Sequence, residues 1–188
     1  MAESGGSAGG GGKLQDLVQF ALTTTLFEDL SESEMMDLLR RCTRQRVKSM
    51  DYIIREKEEG ESLYYILEGR VFLVREIEGF EEFLGILEKG DTFGETGLLR
   101  SSVRTASVRA RTDCLLLNIE KSVFEDLPCD LALRLMRNIA LTGIQKLGMA
   151  NELIDKFHRQ VRALTEKEDV DFEKGEDEYV EGLDDPKL

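Results

Sequence analysis

The apolar residues of this chain change period twice, and that change constrains the fold more than any other feature. In "LQDLVQFALTTTLFEDL" and "LSESEMMDLLRRC" they recur at helical spacing. From Arg44 to Glu120 the pattern breaks into short runs, "RQRV", "YIIREK", "SLYYILEGRVFLVREI", "FEEFLGILEKG", "RTASVRA" and "CLLLNIE", punctuated by Gly60, Gly69, Gly79 and Gly90. Many short strands at this spacing predict an antiparallel barrel or jelly roll. From about Asp130 to Glu166 the helical period returns. The expected fold class is therefore α+β: an antiparallel jelly-roll barrel, flanked by short N-terminal helices and a long C-terminal helix.

Local signals sharpen the helices. Ser31 followed by Glu34 forms a capping-box pattern, with Leu30 and Met35 placed as a hydrophobic staple. Pro128 stands where the last helix begins, a position that tolerates its missing amide hydrogen. Along that helix Leu133, Met136, Ala140, Gly143, Leu147, Ala150, Ile154, Phe157, Val161 and Leu164 follow one another by alternating steps of three and four, a heptad seam. A second row, Leu135, Ile139 and Leu153, is placed to face the barrel. The seam predicts a homodimer through the C-terminal helix, a single helix lying on its own domain being the alternative.

Charge locates the boundaries. Residues 166–188 carry 11 acidic against 3 basic side chains, so this tail holds most of the net charge of −13 and is expected to be disordered. "SGGSAGGGG" reads as a flexible leader. The expected organisation is a leader over 1–13, a folded domain with its helices over 14–165 and an acidic tail over 166–188. No apolar run approaches the ~20 residues of a membrane span, so a cytoplasmic protein that makes no membrane contact is expected. The acidity argues against direct nucleic-acid binding, which needs clustered Lys and Arg. Cys42, Cys114 and Cys129 are widely spaced and suggest neither disulfides nor a metal site. A metal-dependent jelly-roll enzyme needs two or three histidines on its strands; the one histidine, His158, falls on the last helix, so no catalytic residue, no metal and no enzymatic activity are expected.

The stretch "GDTFGETGLLRSSVRTASV" carries the candidate site. A strand ending at Phe93 feeds a short helix starting near Glu95, which directs backbone amides and the positive end of the helix dipole at one spot. Arg104 opens the next strand and can return a guanidinium to that spot, with paired hydrogen bonds to two oxygens of an anion. Glu95 accepts hydrogen bonds only, so it would look for a hydroxyl on the ligand. A ribose cyclic phosphate offers a phosphate and a hydroxyl at that separation.

"FGETGLLRSSVRTASV" resembles the phosphate-binding cassette of cyclic nucleotide-binding domains, the family that includes catabolite activator proteins and protein kinase A regulatory subunits. Its pattern is Phe-Gly-Glu, two small or apolar residues, Leu, a variable loop, then Arg, any residue, Ala, Ser or Thr, and Val. "EGESLYYILEGRVFLV" and "VRARTDCLLLNIEKSVFEDL" are similar to the family's paired strands and its final strands with the following helix, and the resemblance runs from about Leu26 to Leu164. It implies a ligand-binding set of Phe93, Gly94, Glu95, Thr96, Gly97, Arg104 and Thr105. In it Glu95 would bind the ribose 2′-hydroxyl and Arg104 the exocyclic phosphate oxygens. Amides around Gly94, Thr96, Gly97 and Thr105 would complete the cradle. Thr96 departs from the usual Leu or Ile. Thr105 stands where cAMP-selective kinase sites carry Ala, cGMP-selective kinase and channel sites Thr, and bacterial activators Ser, which leaves the base open. No cofactor is implied, only the ligand, cAMP or cGMP.

The resemblance thus predicts a stand-alone sensor that changes shape for a separate, unknown effector. Two alternatives stand beside it: a scaffold whose cassette has lost its ligand, and a catabolite-activator-like regulator that reaches DNA through another chain.

Overall fold

The computed structural model describes residues 10–99 and 102–177. The chain divides into one compact unit up to Gly143 and a second from Ile144 onward. Helix α1 spans Gly10–Leu22 and is followed by a 3₁₀ turn, Thr25–Phe27. Helix α2 spans Glu32–Arg41, and its capping box is complete: Ser31 Oγ accepts from the Glu34 amide while the Glu34 carboxylate accepts from the Ser31 amide. Leu30 and Met35 of the expected staple are both buried in the core beneath it.

Ten strands follow: β1 (Thr43–Val47), β2 (Tyr52–Ile54), β3 (Glu59–Gly60), β4 (Ser62–Glu68), β5 (Arg70–Ile77), β6 (Phe80–Glu88), β7 (Thr92–Phe93), β8 (Ser102–Val103), β9 (Ser107–Ala110) and β10 (Cys114–Glu120). Helix α3 (Glu95–Leu99) lies between β7 and β8, and α4 (Lys121–Glu125) and α5 (Cys129–Asp177) follow β10. The strands form two four-stranded sheets, ordered β1-β10-β4-β7 and β2-β9-β5-β6, and a ribbon of β3 with β8. The pairings are antiparallel. The expected mixture of helices with antiparallel strands is present; among the described residues the strand pairings make two separate sheets and the ribbon and do not close into one barrel.

Period-two alternation explains how the first sheet is buried on both faces. Leu63, Tyr65 and Leu67 of β4, with Leu117 and Ile119 of β10, point into a core shared with α1, α2, α4 and the start of α5. Ile66, Cys114 and Leu116 point the other way, into a second core completed by Val71 and Val108 of the opposite sheet. Burial on both faces is why these two strands read as nearly continuous apolar runs.

Four expectations shift. "YIIREK" is strand only over Tyr52–Ile54, and "RTASVRA" only over Ser107–Ala110. Pro128 precedes α5 as its cap, with its carbonyl accepting from the Ala132 amide. Helix α1 starts at Gly10, inside the expected leader. Helix α5 continues to Asp177, inside the tail expected to be disordered, where glutamate and lysine favour helix as readily as they favour solvent. The remainder of that tail, 178–188, lies outside the described residues.

The two apolar rows of α5 differ in exposure where their side chains are described; those of Leu153, Val161 and Leu164 lie outside the described residues. Leu135 and Ile139 are fully buried, whereas Leu133, Leu147 and Phe157 of the seam are 65%, 66% and 63% exposed. Asn138, between the buried residues, has no exposure; its Nδ2 donates to the carbonyls of Leu26 (3.2 Å) and Glu28 (2.8 Å). Arg134 donates to the Asp29 carbonyl and pairs with Glu34, and Arg137 pairs with Asp29 at 2.7 Å. The first turns of α5 are thus tied to the turn between the 3₁₀ segment and α2.

Candidate functional site

The sequence places Arg104 just after β8, and the backbone fixes it there. Its amide donates to the Glu58 carbonyl (2.8 Å) and its carbonyl accepts from the Lys57 amide (2.9 Å), extending the β3–β8 ribbon. The side chain turns inward and is only 8% exposed. Nη1 donates to the Gly94 carbonyl at 3.0 Å and Nη2 to the Ser62 carbonyl at 2.9 Å.

Three glycines make room for it. A Cβ on Gly60 would sit 2.5 Å from Arg104 Nε and one on Gly97 2.5 Å from Nη1. Gly94 has φ +85°, which L side chains resist, and a Cβ there would come within 2.8 Å of both Nη1 and the Ser62 oxygen. A guanidinium lodged so closely against backbone is oriented, not merely buried.

Burial pulls the Arg104 guanidinium below its ordinary pKa, opposed by Tyr64 and by Glu95 nearby. The shift leaves it charged, since arginine does not lose its proton in proteins. Carbonyl oxygens satisfy donors but neutralise no charge, and the Glu95 carboxylate acts on the guanidinium through its field. A half-desolvated cation of this kind gains most from an anion that docks beside it.

The rest of the predicted set surrounds this point. Phe93 is buried, stacking on Tyr64 with ring centroids 5.1 Å apart. This contact ties the cassette's entrance to the second core. Glu95 opens α3 and accepts from Thr92 Oγ1, which holds its carboxylate at the start of the turn. Gly97 is buried and its amide donates to the Gly94 carbonyl (3.1 Å). Thr96 and Thr105 are exposed. Gly94, Gly97 and Arg104 are brought into contact, whereas Thr105 is carried on an irregular segment beside them. Sequence reasoning missed Gly60 and Ser62, both about 40 residues upstream of Arg104; the signal available was the pair of small residues in "EGES" opening a strand.

The geometry now meets the comparisons with known proteins. The family model for the cyclic nucleotide-binding domain matches residues 44–128, which span β1 to the end of α4 and contain every site residue above. Residues 44–128 belong to the cyclic nucleotide-binding domain family. The domain is 31% identical over 118 residues to the cGMP-dependent protein kinase egl-4 of Caenorhabditis elegans, an alignment covering 61% of this chain and 15% of the kinase. It is 37% identical over 91 residues to the cAMP-activated global transcriptional regulator CRP of Salmonella typhimurium, covering 47% of this chain and 43% of the regulator. The chain therefore spans only a minor part of these curated relatives. Among solved structures, the catabolite activator protein of Thermus thermophilus superposes with a TM-score of 0.63 at 28% identity, over 70% of this chain and 62% of that one. The regulatory domain of Toxoplasma gondii PKA, crystallised with cAMP, gives 0.57 at 26% identity, over 68% and 49%.

Proposed function

We propose that this chain is a cyclic nucleotide sensor, binding cAMP or cGMP and controlling a separate partner through a change of shape. The observation that carries the reading is the burial of Arg104 among Gly60, Gly94 and Gly97, its guanidinium oriented by the Gly94 and Ser62 carbonyls. In the bound state Arg104 takes the exocyclic oxygens of the cyclic phosphate. Glu95 accepts from the ribose 2′-hydroxyl, exchanging its bond from Thr92. Phe93, Thr96 and Thr105 frame the ligand, and amides of the 94–97 turn complete the cradle. The relatives divide between cGMP and cAMP in their names, so the base is left to experiment.

Ligand shifts a two-state equilibrium only by the difference in its affinity for the two states. Capture of the phosphate draws the 94–97 turn and Arg104 together. The turns of α5 tied by Asn138 to the 26–29 segment are the element that responds. The exposed seam of Leu133, Met136 and Leu147 favours a homodimer. The chemistry is binding rather than catalysis, in the cytoplasm, without direct contact to nucleic acid or membrane; no helix among the described residues is long and apolar enough to cross a bilayer.

Thermal unfolding with cAMP, cGMP and 5′-AMP tests the reading. A cyclic nucleotide at 100 times its dissociation constant adds about 2.7 kcal/mol and raises Tm, and 5′-AMP at the same concentration does not. Arg104→Ala abolishes the shift. A wild type unmoved by either cyclic nucleotide up to millimolar concentration would overturn the proposal.

A further inference from the structure

Four strands stand at the ends of the two sheets, and three of them are blunted. β7 is two residues long and β2 three. β1 carries exposed Arg44 and Arg46. Such devices stop an edge from pairing with whatever strand arrives. β6 is neither short nor basic; its charges are glutamates. It is nine residues long, "FEEFLGILE", contains no Lys, Arg or Pro, and pairs only with β5 among the described residues. A bulge at Leu84, where the register with β5 shifts, is its one irregularity.

This edge is also apolar. Phe80 is 78% exposed and Phe83 58%, with Ile77, Leu84 and Ile86 exposed beside them. Phe83 is held edge-on against Phe72 at 5.9 Å, so the patch is positioned and not a loose loop. The hairpin tip carries Glu76, Glu78, Glu81 and Glu82, with no basic residue between Arg75 and Lys89 in the chain and Arg75 opposite Glu82 across the ladder. Glu81 is engaged by Arg109 and by the Tyr52 hydroxyl. Glu76, Glu78 and Glu82 are exposed. Carboxylates on the strand repel the same strand of another copy, since like charges across a strand pair destabilise it. They attract a segment of opposite charge.

We propose that β6 is a docking edge for an extended segment of a partner protein that alternates basic and apolar residues, added to the sheet as a fifth strand. Backbone hydrogen bonds along Phe80–Glu88 supply affinity that does not depend on sequence. Phe80 and Phe83 supply the apolar anchors, and the tip carboxylates select lysine or arginine. The surface lies outside the Arg104 site and does not rest on the identity of the nucleotide.

The test uses the full chain and a short fluorescent peptide alternating lysine and valine, read by anisotropy, with hydrogen exchange following the β6 amides. Expected are saturable binding, slowed exchange across 80–88, and a loss of affinity of about tenfold or more in Phe80→Ser/Phe83→Ser. That double variant keeps every charge, so equal binding to it would mean that the peptide is held by overall acidity alone and would overturn the proposal. Glu78→Lys/Glu82→Lys should reverse the preference toward an alternating glutamate–valine peptide. Absence of peptide binding overturns the proposal. So does a fall in the protein's own association state in the double-serine variant, measured by sedimentation, because the occupant would then be a second copy.

Discussion

At the residue scale, the site depends on atoms that are missing. Gly97→Ala adds one methyl group where Arg104 Nη1 would lie 2.5 Å away and the Gly60 carbonyl closer still. The Gly60 carbonyl is backbone and cannot give way cheaply, while the Arg104 guanidinium can yield only by leaving its carbonyl partners. Gly97→Ala should lose about 2 kcal/mol of stability and most of the nucleotide response, checked by urea unfolding and the thermal shift with ligand. Arg104→Lys keeps the charge but not the planar fork. It should retain the fold and bind cyclic nucleotide ~10–100-fold more weakly by calorimetry, because one ammonium cannot reproduce two parallel hydrogen bonds. The roles proposed for Glu95 and Arg104 come from the sequence, because their chemistry is written in their side chains. Gly60 and Ser62 were not legible there: their roles are an empty volume and a carbonyl, and both depend on a strand pairing that brings them to Arg104 from over 40 residues away.

At the element scale, the start of α5 is held by polar contacts that no periodicity reveals. The buried row of Leu135 and Ile139 followed from helical spacing, but Asn138 between them looked like one more polar residue. Its value lies in two carbonyls, of Leu26 and Glu28, to which its Nδ2 donates beneath the helix. Asn138→Ala should destabilise the domain by about 2 kcal/mol in urea unfolding, the cost of leaving buried acceptors without donors. Glu34 acts at the same junction with a different signature. Hydrogen bonds from Arg134 and from Ser31 lower its pKa from 4.5 to about 2. A depressed carboxyl contributes stability that is complete above its unfolded pKa and is lost as pH falls toward the folded value. Wild type should therefore lose Tm between about pH 4.5 and about 2 more steeply than Glu34→Gln, which keeps the capping box without the charge. Differential scanning calorimetry across that range decides it. The capping box itself was legible because four consecutive residues contain all of it. The strand limits were not, since Thr105 favours extended structure by composition while the arginine beside it is bound to a different ribbon.

At the scale of the whole molecule, the exposed seam of α5 makes the clearest claim about assembly. An apolar row repeating every three and four residues has no reason to persist along a helix that faces water, and Leu147 and Phe157 are both more than 60% exposed in the single chain. Two parallel copies would bury them against each other, as knobs in facing holes, with Ala140, Gly143 and Ala150 allowing close approach. Over the first turns of α5, Leu133 and Met136 of the row are exposed while Leu135 and Ile139 take the face toward the core. Leu147→Lys/Phe157→Lys places a charge at two seam positions in each protomer and leaves every residue of the nucleotide site untouched. Sedimentation equilibrium should then show dimerisation weakened at least about a hundredfold, about 2.8 kcal/mol, while the thermal shift with cyclic nucleotide persists. If both variant and wild type sediment as monomers, the seam is no interface and the sensor must reach its partner as a single domain. If the variant loses both dimerisation and the nucleotide response, assembly and ligand binding are coupled through α5, and the turns anchored by Asn138 are where that coupling must pass.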